Sequence, residues 1–267
     1  MQVTTLRRYP VKSMLGEDVA EIALAPGGVD GDRAFAVIDA DTGLVATAKH
    51  PRLWRGLLTF AAVTENRVIV RFPDGSKVPA GAPDLDSRLS AALGRPVAVS
   101  GVRPEGATVE RPAPEDVLDQ GVSAVVPAQT LEIGQGSPGR SFVDHSPVHL
   151  ITTATLRHLG TEFVRYRPNL VIDTPDGTEA FVENRWLGKE LRVGTALLRI
   201  TLPTPRCAVP SLAHGTLARD PEAVRAVMRD NRIDVPGLGK AMPCAGAYAE
   251  VVEPGEVRLA DPVTLRS

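Results

Sequence analysis

The sequence predicts a mainly β protein of the α+β class, built from two packed β-barrel-like domains and a few short helices. Glycine and proline are abundant, with 24 and 23 residues, and this content indicates many turns and short strands. Short apolar runs recur between turn signals such as Asp41-Thr42-Gly43 and Pro73-Asp74-Gly75, a pattern typical of a barrel or a sandwich. The length of 267 residues suits one large or two ordinary domains.

The first domain, predicted over residues 1–105, consists of short strands and one helix. The helix is expected from Asp84 to Leu93, because leucines repeat there at four-residue spacing. Asp84 can cap its start, and Gly94 can end it. The predicted strands cover residues 2–9, 18–24, 34–38, 57–63 and 67–72.

The second domain, predicted over residues 106–267, begins within a proline-rich connection that is expected to be partly irregular, with one apolar piece around Val122 to Val126. One helix is expected to start near Thr152 and to reach Gly160. Another is expected at Asp220-Pro221-Glu222, where a cap, a proline at the first position and an early acid follow in order. Strands are predicted through Ile172, from Leu191 to Ile200, and on either side of Pro254-Gly255.

A long predicted strand delivers Cys207 into a loop that three prolines stiffen. Proline has a fixed φ and no N–H, so a central strand cannot continue through this loop. Arg206 precedes the thiol, and a nearby cation favours the thiolate, which attacks electrophiles and binds soft metals. A buried cysteine also packs as a small hydrophobe, so a structural role stays open at this point.

Further polar side chains could converge on this thiol. If Arg167-Pro168-Asn169 is extended, its guanidinium and amide share one face, and that pair suits a phosphate or the edge of a heterocycle. A thiolate together with several phosphate-binding groups predicts an anionic cofactor that contains a metal. The thiolate would be a ligand of that metal. The polar groups are Lys12-Ser13, Arg33, Asp144-His145-Ser146, Arg165 with Arg167 and Asn169, and Arg206 beside Cys207.

Composition argues against several classes of function. The 30 basic and 32 acidic residues give a net charge of −2, so no global basic surface points to nucleic acid or membrane. Two cysteines cannot form a disulfide framework, and an iron–sulfur cluster usually needs four. The first residues lack the apolar stretch of a signal peptide. We therefore expect a cytoplasmic protein without a membrane or nucleic-acid partner.

Eight short motifs occur in order along the chain. They are YPVKS (9–13), GDRAFAVID (31–39), TAKHPRL (47–53), VDHSP (143–147), RYRPNLVI (165–172), WLGKELRVG (186–194), TPRC (204–207) and AGAYAEV (245–251). Together they resemble the MOSC proteins that carry an N-terminal β-barrel domain. That group includes the mitochondrial amidoxime-reducing component and bacterial reductases of N-hydroxylated compounds. The match spans nearly the whole chain, and the set is specific although no single motif is.

The resemblance implies a cofactor and a role for each matching residue. The cofactor is molybdenum on a pyranopterin, with Cys207 as the metal ligand. Asp144 would be a proton donor near the metal, and Tyr248 would face the pocket as a further catalytic residue. The implied cofactor-binding residues are Lys12, Ser13, Arg33, His145, Ser146, Arg167, Asn169 and Arg206.

The implied activity is the two-electron reduction of small N-hydroxylated compounds. The substrate oxygen would leave as water, and the cofactor would carry the chemistry. Because the chain has no iron–sulfur cluster, electrons would come from a separate protein that carries flavin, heme or iron–sulfur. Two alternatives remain: a sulfur-transfer protein with a persulfide on Cys207, and a non-catalytic module that binds the molybdenum cofactor.

Overall fold

The computed structural model describes residues 1–266, and strands dominate them, which confirms the predicted mainly β fold class. The elements of the first half are β1 (Gln2–Arg8), β2 (Glu17–Asp18), β3 (Glu21–Ala25), β4 (Gly28–Val29), β5 (Ala36–Asp39), α1 (Pro51–Trp54), β6 (Ala61–Thr64), β7 (Val68–Arg71), β8 (Lys77–Pro79), α2 (Leu85–Leu93) and β9 (Val97–Ser100).

The second half contains the longest strands of the fold. Its elements are β10 (Thr108–Pro112), α3 (Pro114–Gln120), β11 (Ala128–Glu132), β12 (Val148–Thr152), α4 (Thr153–Leu159), β13 (Leu170–Asp173), β14 (Glu190–Val193), β15 (Ala196–Pro205), α5 (Glu222–Asp230), β16 (Arg232–Asp234), β17 (Ala241–Glu253), β18 (Gly255–Arg258) and β19 (Val263–Arg266). Short 3₁₀ helices cover Arg55–Thr59, Phe163–Tyr166, Val182–Trp186 and Val209–Ser211.

A nine-stranded sheet organises the molecule. Its strand order is β19-β14-β15-β17-β12-β13-β1-β2, with β16 paired to β17. All neighbours are antiparallel except β12 and β13. Its apolar face buries residues such as Leu6, Leu150, Leu191 and Ile200 completely or nearly so. Each such side chain contributes about 1.5–3 kcal/mol by leaving water.

A second apolar core lies under the strands of the first half. Trp54, Leu57 and Phe60 meet Leu85 and Leu89 of helix α2 there. The two leucines are four residues apart and therefore lie on one face of the helix. This spacing is the one that predicted the helix, and Gly94 ends it in the left-handed conformation at φ 69°.

The two halves share strands and core residues. Strand β1 pairs with β13, and β18 pairs with β3. Ala36 of β5 packs in one cluster with Val109 and Phe142 from beyond residue 105. The predicted boundary at 105–106 stays a prediction, and main-chain pairing crosses it in both directions.

Local capping confirms the two helices predicted for the second half. The Thr152 hydroxyl accepts the Thr155 N–H at 3.2 Å to start α4, and Gly160 follows the helix with φ 61°. Asp220 Oδ1 accepts the Glu222 N–H at 3.1 Å at the start of α5. Each such cap is worth about 1 kcal/mol.

Four local predictions were wrong. The strand predicted from Leu191 to Ile200 is divided by a turn at residues 194–195 into β14 and β15, and β15 continues past the expected break at Pro203 to Pro205 because bulges adjust its pairing with β17. Residues 57–63 begin in the 3₁₀ helix Arg55–Thr59 and become a strand only at β6. The Asp84 side chain caps nothing at the start of α2. Helix α3 lies inside the connection expected to be irregular. In residues 1–266 the longest helices have nine residues, and none has the length and apolarity needed to cross a membrane.

Candidate functional site

One cavity of about 350 Å³ collects residues from both halves of the chain. Seven basic and two acidic side chains line it, although the whole chain has a net charge of −2. Such a local surplus of positive charge favours an anionic ligand. The structure brings all the predicted site residues to this cavity: Lys12, Ser13, Arg33, Asp144, His145, Ser146, Arg167, Asn169, Arg206, Cys207 and Tyr248.

Three cavity residues have left-handed backbone conformations that non-glycine residues rarely adopt. Ser13, Arg33 and Arg167 have φ values of 65°, 47° and 57°. Each costs roughly 1–2 kcal/mol, and such strain concentrates at functional sites. The condition of an extended Arg167-Pro168-Asn169 segment is therefore not met, because Arg167 follows the 3₁₀ helix Phe163–Tyr166 in this left-handed conformation. Arg167 and Asn169 both reach the cavity all the same.

The Arg167 guanidinium is prepared for a negative partner. Its Nη1 and Nη2 atoms are inaccessible to solvent and have no hydrogen-bond partner among residues 1–266. Burial, together with the neighbouring Arg33, lowers the pKa of Arg167 to about 10. Buried hydrogen-bond donors almost always have an acceptor. Two terminal nitrogens without one, on a residue that lines a cavity, therefore indicate that a ligand supplies the acceptor. Arg33 itself donates to the Asp32 carboxylate and to the Arg167 carbonyl, the latter at 3.3 Å.

Asp144 is paired with two lysines. The Lys12 and Lys49 ammonium groups lie 2.5 and 2.9 Å from Asp144 Oδ1. Although burial raises the pKa of Asp144, these two ammonium groups hold it well below its usual value. The carboxyl group is therefore ionised at neutral pH and has no proton to give. In this arrangement Asp144 neutralises and orients the lysines, and its predicted role as proton donor stays a prediction.

Lys12 and Ser13 lie in the turn after β1, and hydrogen bonds to residues elsewhere in the chain hold them in place. Lys12 Nζ also donates to the Phe142 carbonyl at 2.9 Å, and Ser13 Oγ accepts the Ala48 N–H at 3.1 Å. Burial lowers the pKa of Lys12 to about 8, with Asp144 acting in the opposite direction. Its ammonium charge is thus present at neutral pH and is lost in mildly alkaline solution.

Cys207 follows β15 and lines the cavity with 9% of its surface exposed. Strand β15 reaches this loop through bulges in its pairing with β17, up to Pro205 opposite Cys244. Cys207 is a free thiol. The loop therefore presents one sulfur to the space that also contains Lys12, Arg33 and Arg167.

Arg206 anchors this loop instead of reaching toward a ligand. Its Nε donates to the Ala245 carbonyl at 2.8 Å and its Nη1 to the Tyr166 carbonyl at 2.9 Å. Its Nη2 lies 2.6 Å from His149 Nε2. Each nitrogen of the guanidinium is engaged by the protein, so Arg206 has a structural role in this loop, and its predicted cofactor-binding role stays a prediction.

The Asn169 amide is likewise used within the protein. Its Oδ1 accepts the His149 N–H at 3.1 Å, and its Nδ2 donates to the Arg7 carbonyl at 3.3 Å. Asn169 therefore ties β1 to the segment before β13. This bond uses one of the two N–H donors of Nδ2, so the predicted contact of Asn169 with the cofactor stays a prediction.

An aromatic cluster forms another part of the wall. The His145 and Tyr248 rings stack with centroids 5.9 Å apart, and His149 meets Tyr248 edge-on at 5.8 Å. His145 Nδ1 lies 2.9 Å from Ser146 Oγ. Burial lowers the pKa of His145 and raises that of Tyr248. The imidazole is therefore mostly neutral at pH 7, and the phenol keeps its proton.

The sequence reasoning gave no role to Lys49, His149 or Arg111, which also line the cavity. Lys49 lies within the TAKHPRL motif that carried the family resemblance, so the motif was an available signal. Arg111 donates to the Arg206 carbonyl at 3.2 Å. No local pattern marks Arg111 or the burial of His149.

Two family models match this chain. The MOSC N-terminal beta barrel domain matches residues 1–108, and the MOSC domain matches residues 138–264. The chain belongs to the MOSC domain proteins. Both models together cover the predicted site residues, from Lys12 and Ser13 to Cys207 and Tyr248, whereas Val109, Arg111 and the lining residues between 131 and 135 lie between the two matched ranges.

Relatives of this MOSC protein include mitochondrial amidoxime reducing component 2 of Macaca fascicularis, with 26% identity over 98% of this chain and 82% of that one. The protein of the same name from Rattus norvegicus is 31% identical over 46% of this chain and 38% of its own length. Among solved structures, the YuaD protein of Bacillus subtilis is 9% identical, with a TM-score of 0.41, coverage of 100% of this chain and 95% of that one.

Proposed function

We propose that this MOSC protein is a molybdenum cofactor-dependent reductase of N-hydroxylated compounds. The observation that carries the proposal is the cavity that holds both the Cys207 thiol and the unpaired, buried guanidinium nitrogens of Arg167. A pyranopterin cofactor has a phosphate group and a soft metal centre. The cavity offers a cation for the phosphate and a sulfur for the metal, so the residues present fit the group.

Arg167, Arg33 and Lys12 would hold the phosphate, and Ser13 would donate its hydroxyl proton. Cys207 would be the protein ligand of molybdenum. When bound, the cofactor supplies the two electrons of the reaction. The N–O bond of the substrate breaks, two protons are taken up, and the oxygen leaves as water.

The two protons come from water, and groups that line the cavity would orient the substrate oxygen that receives them. The Tyr248 phenol keeps its proton across the physiological range, whereas Asp144 has none to give. The Tyr248 phenol would therefore donate a hydrogen bond to the substrate oxygen, with the stacked His145 ring as the neighbour that holds it in place. The substrate would be a small N-hydroxylated compound, and a separate protein with flavin, heme or iron–sulfur would deliver the electrons. The expected cytoplasmic location stays a prediction.

The sulfur-transfer alternative would use the same thiol but has no need for the unpaired cation of Arg167. A persulfide on Cys207 requires only access to the sulfur, so a cavity with a surplus of buried positive charge favours the cofactor. The same charge is compatible with a non-catalytic module that binds the cofactor, which only turnover separates from a reductase.

The deciding experiment is molybdenum analysis of the protein purified from a host that makes the cofactor. We expect close to one molybdenum per chain in the wild type and a loss of at least tenfold in Cys207→Ala. Cys244→Ala is the matched control, because Cys244 is buried and lies outside the cavity lining. Equal metal content in wild type and Cys207→Ala would contradict the proposal.

An added sulfur on Cys207 after treatment with a cysteine desulfurase, seen by intact mass, would favour sulfur transfer instead. Reduction of benzamidoxime by the loaded protein with a chemical reductant would exclude a mere binding module.

A further inference from the structure

Tyr9 lies directly behind the anion-binding arginines and does not line the cavity itself. The guanidinium carbons of Arg33 and Arg167 each lie 4.4 Å from the centroid of the Tyr9 ring. Arg7 approaches the same ring at 5.6 Å. The ring is almost completely buried, with 1% exposed. One aromatic side chain therefore contacts both cations of the proposed phosphate site.

The backbone and the packing around Tyr9 hold its ring in one place. Its N–H donates to Asp32 Oδ1 at 2.8 Å, and its carbonyl accepts the Arg33 N–H at 2.7 Å. A Cβ added to Gly16 would lie 2.6 Å from Cδ1 of the ring. The ring position is thus tied to the same residues, Asp32 and Arg33, that build the site.

The Tyr9 hydroxyl contributes nothing visible to this arrangement. It is buried and has no hydrogen-bond partner within residues 1–266. An unsatisfied buried hydroxyl costs free energy. The part of Tyr9 that the site uses is therefore the π face and not the phenol.

We infer that Tyr9 is a positioning residue for anion binding, whose ring holds the Arg33 and Arg167 guanidinium groups in place before the ligand arrives. Two like charges in a buried site repel, and Arg167 has no hydrogen bond from its terminal nitrogens to fix it. The negative face of an aromatic ring attracts a guanidinium without consuming its N–H donors. The terminal donors of Arg167 stay free for the ligand, and the ordering of its side chain is completed in advance. This inference rests on the anion site of the proposed function.

The test is the affinity for inorganic phosphate at pH 7, measured on the full chain with variants at position 9. Tyr9→Phe keeps the aromatic ring, and its affinity for phosphate should lie within about twofold of the wild-type value. Tyr9→Leu removes the face and should bind about tenfold more weakly, which corresponds to about 1.4 kcal/mol. In an Arg167→Met background the same Tyr9→Leu change should cost less than twofold, because the cation that it positions is gone.

A second series keeps the ring and its volume, so that it does not depend on whether Tyr9→Leu folds. Phenylalanines with an increasing number of ring fluorines, incorporated at position 9, withdraw charge from the face. Phosphate affinity should fall stepwise with each fluorine, while the thermal midpoint without phosphate stays close to that of Tyr9→Phe. Affinity that is independent of fluorination, or a loss in Tyr9→Phe as large as in Tyr9→Leu, would overturn the inference, as would a wild type that binds no phosphate.

The outcomes separate this inference from the proposed function. If phosphate affinity follows the ring but purified protein holds no molybdenum, the positioning role stands and the reductase proposal fails. If molybdenum is bound through Cys207 and phosphate affinity ignores the ring, the positioning role fails alone.

Discussion

Arg167 and Arg206 line one cavity and differ in what their guanidinium nitrogens contact. The protein engages each nitrogen of Arg206, whereas the terminal nitrogens of Arg167 have no partner within residues 1–266. The first arrangement stabilises a loop, and the second is prepared for a ligand. The same distinction separates Asn169, whose amide binds backbone groups, from Lys12, whose charge is balanced by Asp144.

The charge of Lys12 predicts how anion affinity depends on pH. The pKa of Lys12 is lowered to about 8, and an anion binds the protonated form. Sulfate keeps a constant charge above neutral pH, so it reports the protein alone. We expect the dissociation constant for sulfate to change little from pH 6.5 to 7.5, as approximate limits, and to rise about tenfold by roughly one pH unit above the pKa of Lys12.

Lys12→Arg is the matched variant for this experiment, because its guanidinium stays charged throughout the range. Its sulfate affinity should be nearly independent of pH, and that of Lys12→Met should be weak and equally flat. A wild-type profile as flat as that of Lys12→Arg would show that Lys12 keeps its proton and that the titrating group is not part of the site.

At the scale of single residues, the sequence could predict which side chains reach the cavity. It could not predict whether their hydrogen-bond donors are already used by other parts of the protein. All the residues picked from motifs reach the cavity, because residue types and their order along the chain suffice for that. Whether a guanidinium is free or satisfied depends on carbonyls that come from distant strands, such as Ala245 and Tyr166 around Arg206. No local pattern contains that information.

At the scale of elements, the same limit appears in the helices. Helices α4 and α5 were predictable because caps and periodicity are local. The 3₁₀ helix Arg55–Thr59 was missed because its apolar residues serve the core around Trp54 and carry no helical repeat. Helix α3 was missed because its prolines suggested a connection, although Pro114 stands in the first helical turn, where proline is tolerated.

Strand β17 carries a glycine that the loop of Cys207 depends on. Gly246 has φ 78°, and a Cβ there would lie 2.5 Å from the Leu150 carbonyl oxygen and 2.6 Å from His149 Nε2. Gly237 has a nearly identical φ of 79° with no atom within 4 Å of an added Cβ. Gly237→Ala should therefore cost only the conformational term, about 1 kcal/mol of unfolding free energy.

Gly246→Ala should cost roughly 3 kcal/mol, because steric strain against β12 and His149 adds to the same conformational term. It should also reduce molybdenum content, since His149 holds the Arg206 anchor. Urea denaturation of both variants measures the difference between them. Equal losses would mean that the space around Gly246 relaxes freely and that the close contact is not a constraint.

At the scale of the molecule, the two halves exchange strands and share main-chain pairing. Strand β1 from the first half completes the large sheet beside β13, and β18 from the second half pairs with β3. The cavity is built from both halves, with Lys12 just after β1 and Cys207 just after β15. Unfolding of either half would therefore remove both a strand of the other and one wall of the site.

The two tryptophans test this directly, because each reports one core. Trp54 is buried in the core of the first half, and Trp186 is buried against the large sheet. In Trp54→Phe the remaining fluorophore follows the large sheet, and in Trp186→Phe it follows the other core. We expect one cooperative transition in each variant, with fluorescence and far-ultraviolet circular dichroism giving the same urea midpoint. A fluorescence midpoint that departs from the circular dichroism midpoint of the same variant would mean that one half unfolds alone. The strands exchanged between the halves would then contribute too little to couple them, and the cavity would open before the fold is lost.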